Sequence, residues 1–215
     1  MQDRIFPKEI EAHVQGLSYT TDGLGRSGDT VVLFEDVYVL KISKDIDRLQ
    51  RERERNDWLL DRLPVPRSVA FCITDDRGYY LRTCVNGTPL SDECYTARPE
   101  RLTTLLAKAF YLISQVDASE CPFVSQENEG ADFVHGDFCL PNILAQGDEI
   151  AGFLDMENCG CGDSAFDLSW GVWSLAYNLH SPGYTDDFLR KTGRALPRKM
   201  YERYIPREYR LETDT

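Results

Sequence analysis

No apolar run in this sequence approaches the ~20 residues that cross a bilayer, so no membrane span is expected. The opening stretch MQDRIFPKEIEAH is charged and has no hydrophobic region of signal-peptide type. There is no basic excess either. Lys and Arg number 24 against 36 Asp and Glu, a formal net charge of −12. Nucleic acid needs a basic face, so it is excluded as a partner. A small cationic molecule suits this charge, because an acidic cleft steers cations inward. Cysteine is present but unpatterned. The seven, at 72, 84, 94, 121, 139, 159 and 161, are odd in number and include no C-x-x-C pair. That argues against a disulfide framework and for a reducing compartment. His135 with Cys139, Cys159 and Cys161 matches no common structural zinc spacing. The expected location is cytoplasmic.

What is present is an ordinary globular composition, 42% hydrophobic and 28% charged. A chain of 215 residues suffices for one large domain or two small lobes. The chemistry concentrates in Val134–Asp155. His135-Gly136-Asp137 opens this stretch, with Gly136 allowing a tight backbone turn, and Asn142 follows five positions after Asp137. Ile143–Ala145 reads as a short buried strand, Gly147-Asp148 as a turn, and Ile150–Leu154 as the returning strand. Asp155 stands where that strand ends. The hairpin therefore brings Asp137, Asn142 and Asp155 to one end. Two carboxylates and an amide suit a hard divalent cation such as Mg²⁺, which takes oxygen ligands and leaves other positions to water and phosphate. The order also fits the kinase pattern of a catalytic Asp, an Asn, and a metal Asp beyond the next strand.

HGDFCLPN followed by GFLD resembles the aminoglycoside phosphotransferases, the kanamycin-kinase superfamily with its choline kinase-like relatives. The resemblance implies that Asp137 is the catalytic base and that Asn142 and Asp155 bind metal. It also implies a two-lobed, protein-kinase-like α+β fold. The expected lobes are residues 1–85, which bind nucleotide, and residues 86–215, which are mostly helical and carry the catalytic loop, the metal site and the acceptor site.

Earlier in the chain, Leu17–Thr21, Thr30–Phe34, Val37–Ile42, Ser68–Thr74 and Gly78–Thr83 read as strands of a five-stranded antiparallel sheet, with Asp45–Arg62 as its helix. The glycine-rich loop Asp22–Asp29, with Ser27, lets backbone N–H groups approach phosphates. Lys41 sits inside an apolar strand and calls for a charged partner. The family pattern before Trp58 and Leu63-Pro64-Val65-Pro66 selects Glu52 rather than Glu54, and Lys41 then holds the nucleotide phosphates. By the same resemblance, Thr83 and Val85 offer main-chain groups to the purine of ATP or GTP. The family usually has an apolar residue where Arg82 stands; this departure either leaves the choice of purine open or turns Arg82 to solvent. Asp167 matches an Asp that braces the catalytic loop. Glu157 and Glu208 fall near acceptor-binding positions, and Asp186-Asp187 either serves the acceptor or caps a helix.

Pro99–Val116 has apolar residues at helical spacing. Only ten residues, Phe123–Asp132, separate the turn after it from the catalytic strand. Kanamycin kinases carry a helical insertion of several dozen residues there, which walls the acceptor site. Three functions follow in order. The first is nucleotide-dependent phosphorylation of a hydroxyl on a small cationic acceptor, an aminoglycoside. The second is phosphorylation of another hydroxylated metabolite or antibiotic. The third, from another class, is a nucleotide-binding pseudokinase.

Overall fold

The computed structural model describes residues 6–22, 29–125 and 130–210. The chain divides into two compact units, Met1–Asp61 with Val65–Asn86, and Arg62–Pro64 with Gly87–Thr215. The glycine-rich loop, including Ser27, lies outside the described residues.

The first unit contains α1 (Lys8–Val14), β1 (Tyr19–Asp22), β2 (Thr30–Phe34), β3 (Tyr38–Ser43), α2 (Ile46–Leu59), β4 (Ser68–Thr74) and β5 (Arg77–Thr83). The strands form one antiparallel sheet in the order β1-β2-β3-β5-β4. The two-residue period sorts its faces. Leu40 and Leu81 pair across β3 and β5 and, with Val32 and Phe34, pack on Ile10 and Val14 of α1. Lys41, Tyr80 and Arg82 alternate with these and face α2. There Asn56 Nδ2 donates to the Tyr80 hydroxyl at 3.2 Å, and the Arg53 guanidinium lies 4.8 Å from the Phe71 ring centroid. The β4–β5 turn has φ of 50° at Asp75 and 56° at Asp76, the pair of left-handed residues whose twist suits a tight hairpin. The Asp45 carboxylate caps α2 by accepting the Arg48 N–H at 3.0 Å. The helix ends at Leu59 rather than running to Arg62, ahead of Pro64 and Pro66, which disfavour helical geometry in the residues before them.

The second unit contains β6 (Thr88–Pro89), α3 (Glu93–Thr96), α4 (Pro99–Ser114), β7 (Asp132–Val134), β8 (Ile143–Gln146), β9 (Glu149–Phe153), β10 (Gly160–Gly162), α5 (Ser164–Leu179), α6 (Thr185–Thr192) and α7 (Arg198–Tyr204). α4 starts with proline, which is pre-set for a first helical turn. It buries Leu102, Leu105, Leu106, Ala109, Phe110 and Ile113. β8 and β9 form the expected hairpin, with β6 on its edge, and β7 pairs with β10. α6 is tied to α4 through Asp187, which accepts from Thr103 Oγ1 and Lys191 Nζ, both at 2.6 Å. Lys191, then Thr103, holds the Asp187 carboxyl at about 2. This carboxylate ties α6 to α4. Among the described residues no helix is long and apolar enough to cross a membrane.

Candidate active site

In the second unit the catalytic loop lies between β7 and β8. Gly136 has φ of 82°, and a Cβ there would sit 2.4 Å from the Asn158 carbonyl oxygen, so both conformation and space require glycine. The same contact places the turn carrying half-buried Glu157 against the loop. His135 is buried, and its ring meets Phe138 and Phe153 edge-on. Its Nδ1 accepts the Asp137 N–H at 3.2 Å. Burial lowers the imidazole pKa below its usual value, against the pull of Asp137 and Asp155.

Asn142 organises the carboxylates. Its Nδ2 donates to the Asp137 carbonyl at 3.0 Å and to Asp137 Oδ2 at 2.7 Å. Its own carbonyl accepts the Leu154 N–H at 2.9 Å. Asp155 follows Leu154 directly and has φ of 57°. That conformation is uncommon for a residue with a side chain and is typical of positions held by their surroundings. With the amide nitrogen committed to Asp137, the side-chain acceptor of Asn142 is Oδ1. An amide oxygen and a carboxylate are the donors a hard cation takes.

One face of α5 braces this loop. Asp167, fully buried, accepts the N–H groups of His135 at 2.6 Å and Gly136 at 3.0 Å. Burial raises its carboxyl to about 7, against those two hydrogen bonds. A Cβ on Gly171, one turn on, would touch the Phe138 ring at 3.1 Å. Ser174 Oγ accepts the Leu140 N–H at 3.0 Å. Ser174 lies seven positions after Asp167 and so on the same helix face, a signal that could have been read from the spacing. Glu208 is placed elsewhere. It is exposed, beside Tyr209, whose ring lies 5.9 Å from Trp173 on the other stripe of α5.

In the first unit Lys41 Nζ meets Glu52 Oε2 at 2.8 Å, with both residues buried. Glu54 is exposed and accepts from Gln50 at 2.9 Å. Arg82 does not face solvent. It is 4% exposed, and its Nη1 lies 3.1 Å from the other Glu52 oxygen. Arg82 pairs with Val39, two residues before Lys41, so both cations rise from the same sheet face. Arg48, one turn before Glu52, pairs with buried Asp29 at the start of β2. Thr83 donates its N–H to the Arg67 carbonyl at 2.9 Å and accepts the Arg67 N–H on Oγ1 at 3.0 Å. The Cys84 N–H is bonded to Val37 at 2.8 Å.

Residues 131–203 match the phosphotransferase enzyme family. A probable aminoglycoside 3'-phosphotransferase of Lactococcus lactis is 25% identical over 213 residues, covering 78% of this chain and 81% of the relative. The chain is related to the aminoglycoside phosphotransferases. The structure of an aminoglycoside-3'-phosphotransferase of type VIII superposes with TM-score 0.76 at 20% identity, covering 88% of this chain and 92% of that one. The aminoglycoside phosphotransferase APH(3'')-Id of Streptomyces rimosus, in complex with ADP and streptomycin, does so with TM-score 0.73 at 19% identity, covering 91% and 93%. The fold is therefore that of the aminoglycoside phosphotransferases. Within the alignment to the Lactococcus phosphotransferase, 78% of 215 residues is about 168, against 213 aligned positions. Roughly 45 positions of the aligned span thus have no counterpart in this chain.

Proposed function

We propose that this protein transfers a phosphoryl group from ATP or GTP to a hydroxyl of a small cationic acceptor, an aminoglycoside. The observation that carries the reading is Asn142, which grips both the main-chain and carboxylate oxygens of Asp137 while its carbonyl anchors the residue before Asp155. Relatives named for aminoglycoside phosphorylation, and a similar fold seen with ADP and streptomycin, support the choice of substrates.

In this reading Asp137 accepts the acceptor hydroxyl's proton, held in place by Asn142 and by the His135 Nδ1 contact to its own N–H. Asn142 Oδ1 and the Asp155 carboxylate would hold Mg²⁺, which when bound neutralises phosphate charge. Lys41 contacts the nucleotide phosphates, and Glu52 orients it. Ser27, in the glycine-rich loop, joins the phosphate-binding set. The purine is met by main-chain groups of Thr83 and Val85. Because the Thr83 N–H is already bonded to Arg67, Thr83 offers its carbonyl and Val85 its N–H. Glu157, on the turn packed against Gly136, is the acidic group proposed for the acceptor's ammonium groups. Glu208, exposed beside Tyr209, whose ring packs on Trp173 of α5, is left out. The chain's contribution is placement and preorganised charge rather than covalent chemistry.

The ~45 positions absent from this chain favour a second reading, in which the acceptor is a different hydroxylated metabolite or antibiotic. Phosphate transfer from ATP and from GTP, with magnesium, to a panel of aminoglycosides, peptide antibiotics and amino alcohols distinguishes the two. Product from an aminoglycoside at micromolar concentration supports the first reading. Product only from another acceptor class supports the second, and no product with any acceptor rejects both.

A further inference from the structure

Two serines are buried in the middle of α5, Ser169 and Ser174, and they use their hydroxyls in opposite ways. Ser169 Oγ donates to the Ala165 carbonyl at 2.6 Å, the common return of a helical serine onto its own backbone. Ser174 Oγ accepts from outside the helix, taking the Leu140 N–H at 3.0 Å. Asn178, one turn on, steadies it, with Nδ2 donating to the Ser174 carbonyl at 2.7 Å and to the hydroxyl at 3.4 Å. Leu140 is fully buried, and a buried N–H left without an acceptor is unfavourable.

This bond completes a series along one face of α5. From Asp167 to Ser174 the helix rises ~10.5 Å. Over that length it meets His135 and Gly136 through Asp167, the Phe138 ring beside Gly171, and Leu140 through Ser174. Asp137 lies between the first two contacts. The last contact falls on the first residue of a short 3-10 turn, Leu140–Asn142. Pro141 stiffens the middle of that turn. The Asn142 N–H is bonded to the Cys139 carbonyl at 3.0 Å, and the Asn142 carbonyl takes the Leu154 N–H, next to Asp155, at 2.9 Å. A shift of Leu140 is therefore carried to Asn142.

We infer that Ser174 is a positioning residue for the metal-facing end of the catalytic loop, holding Leu140 so that Asn142 keeps its place. Asp167 anchors the loop where it enters, and Ser174 anchors it where it leaves. The metal itself belongs to the phosphotransfer reading, on which this role of Ser174 rests. Without the hydroxyl, the Leu140 N–H has to reach another acceptor, and the turn moves to let it. A metal ligand that loses its supporting contacts holds its ion less tightly. The nucleotide contacts proposed for the first unit are made by other residues and stay in place.

The test measures binding of Mn²⁺, used in place of Mg²⁺, to the protein–ADP complex by water-proton relaxation. It compares wild type, Ser174→Ala and Ser169→Ala. Each variant removes one buried hydroxyl from the same helix, and alanine is the better helix former, so α5 stays intact. Ser174→Ala should weaken Mn²⁺ about tenfold, with ADP affinity in the absence of metal unchanged. Ser169→Ala should keep the wild-type Mn²⁺ affinity, although a merely structural role for the two hydroxyls would make the variants alike. Amide hydrogen exchange at Leu140 should speed up in Ser174→Ala and not in Ser169→Ala. Unchanged Mn²⁺ affinity in Ser174→Ala overturns the inference, as do equal losses in the two variants. A wild-type ADP complex that takes up no Mn²⁺ would reject the phosphotransfer reading instead, and exchange at Leu140 would then decide whether Ser174 holds the loop.

Discussion

Asn142 holds Asp137 at two points, the carbonyl at 3.0 Å and Oδ2 at 2.7 Å, through a single amide nitrogen. The candidate base is therefore fixed in both backbone and rotamer by the residue proposed to bind metal. Loss of one is felt by the other, and the expected outcomes below use that coupling.

Asp137→Asn removes the proton acceptor and sets one amide against another. Turnover should fall by ~10²–10⁴, the usual worth of a positioned base. Nucleotide affinity, measured by calorimetry, should change little. Wild-type turnover in this variant would remove Asp137 from its role.

Asn142→Ala removes the grip on Asp137 and one oxygen donor. The magnesium concentration for half-maximal activity should rise by at least ~10-fold. A magnesium titration at saturating nucleotide checks this, and an unchanged midpoint would argue that the amide does not face the metal.

Glu52 and Glu54 are two residues apart on α2 and differ in environment. Glu52→Ala removes the buried carboxylate beside Lys41 and Arg82 and should cost ~3–5 kcal/mol of stability together with catalysis. Glu54→Ala removes an exposed contact to Gln50 and should stay within ~0.5 kcal/mol of wild type. Urea denaturation of both variants, with activity assays, makes the comparison.

Asp167 titrates in the folded protein at about 7, above its ordinary 3.8, mainly because it is buried. A raised folded-state pKa means the favourable contribution is full below the unfolded value and is lost as pH rises through about 7. The stability of wild type relative to Asp167→Asn should therefore fall between pH 4 and pH 8. Denaturation curves at several pH values test the sign, and a difference that grows with pH would contradict it. Turnover should also fall in this variant, since an amide cannot accept both the His135 and Gly136 N–H groups.

Gly136 and Gly147 both have positive φ, 82° and 63°. Around Gly147 an added Cβ meets nothing within 4 Å, while at Gly136 it strikes the Asn158 backbone. Gly147→Ala should cost only the left-handed penalty of ~1–2 kcal/mol. Gly136→Ala should cost clearly more and abolish turnover. Equal losses in the two variants would mean the loop can shift away from Asn158.

Much of the site was legible because it is local. The spacing from Asp137 to Asn142, the Gly147-Asp148 turn and the alternation through Phe153 specify a hairpin whose ends must meet. The parity of Lys41 between Leu40 and Ile42 follows from the period of 2 in the same way. The short pairing of β7 with β10 was not legible, since Gly160-Cys161-Gly162 has no apolar alternation to mark a strand.

By itself the sequence determined which groups the catalytic loop offers and in what order, because hairpins and helices are set by neighbours within a few residues. Only the tertiary structure decided the fate of the charges. Arg82 turned inward to a glutamate thirty positions earlier, Asp187 was spent on Lys191 and Thr103, and Glu208 fell beside Tyr209, which packs on the stripe of α5 away from the loop. A charged side chain costs too much to bury alone, so its direction depends on which distant partner the packing brings within reach, and no local pattern records that.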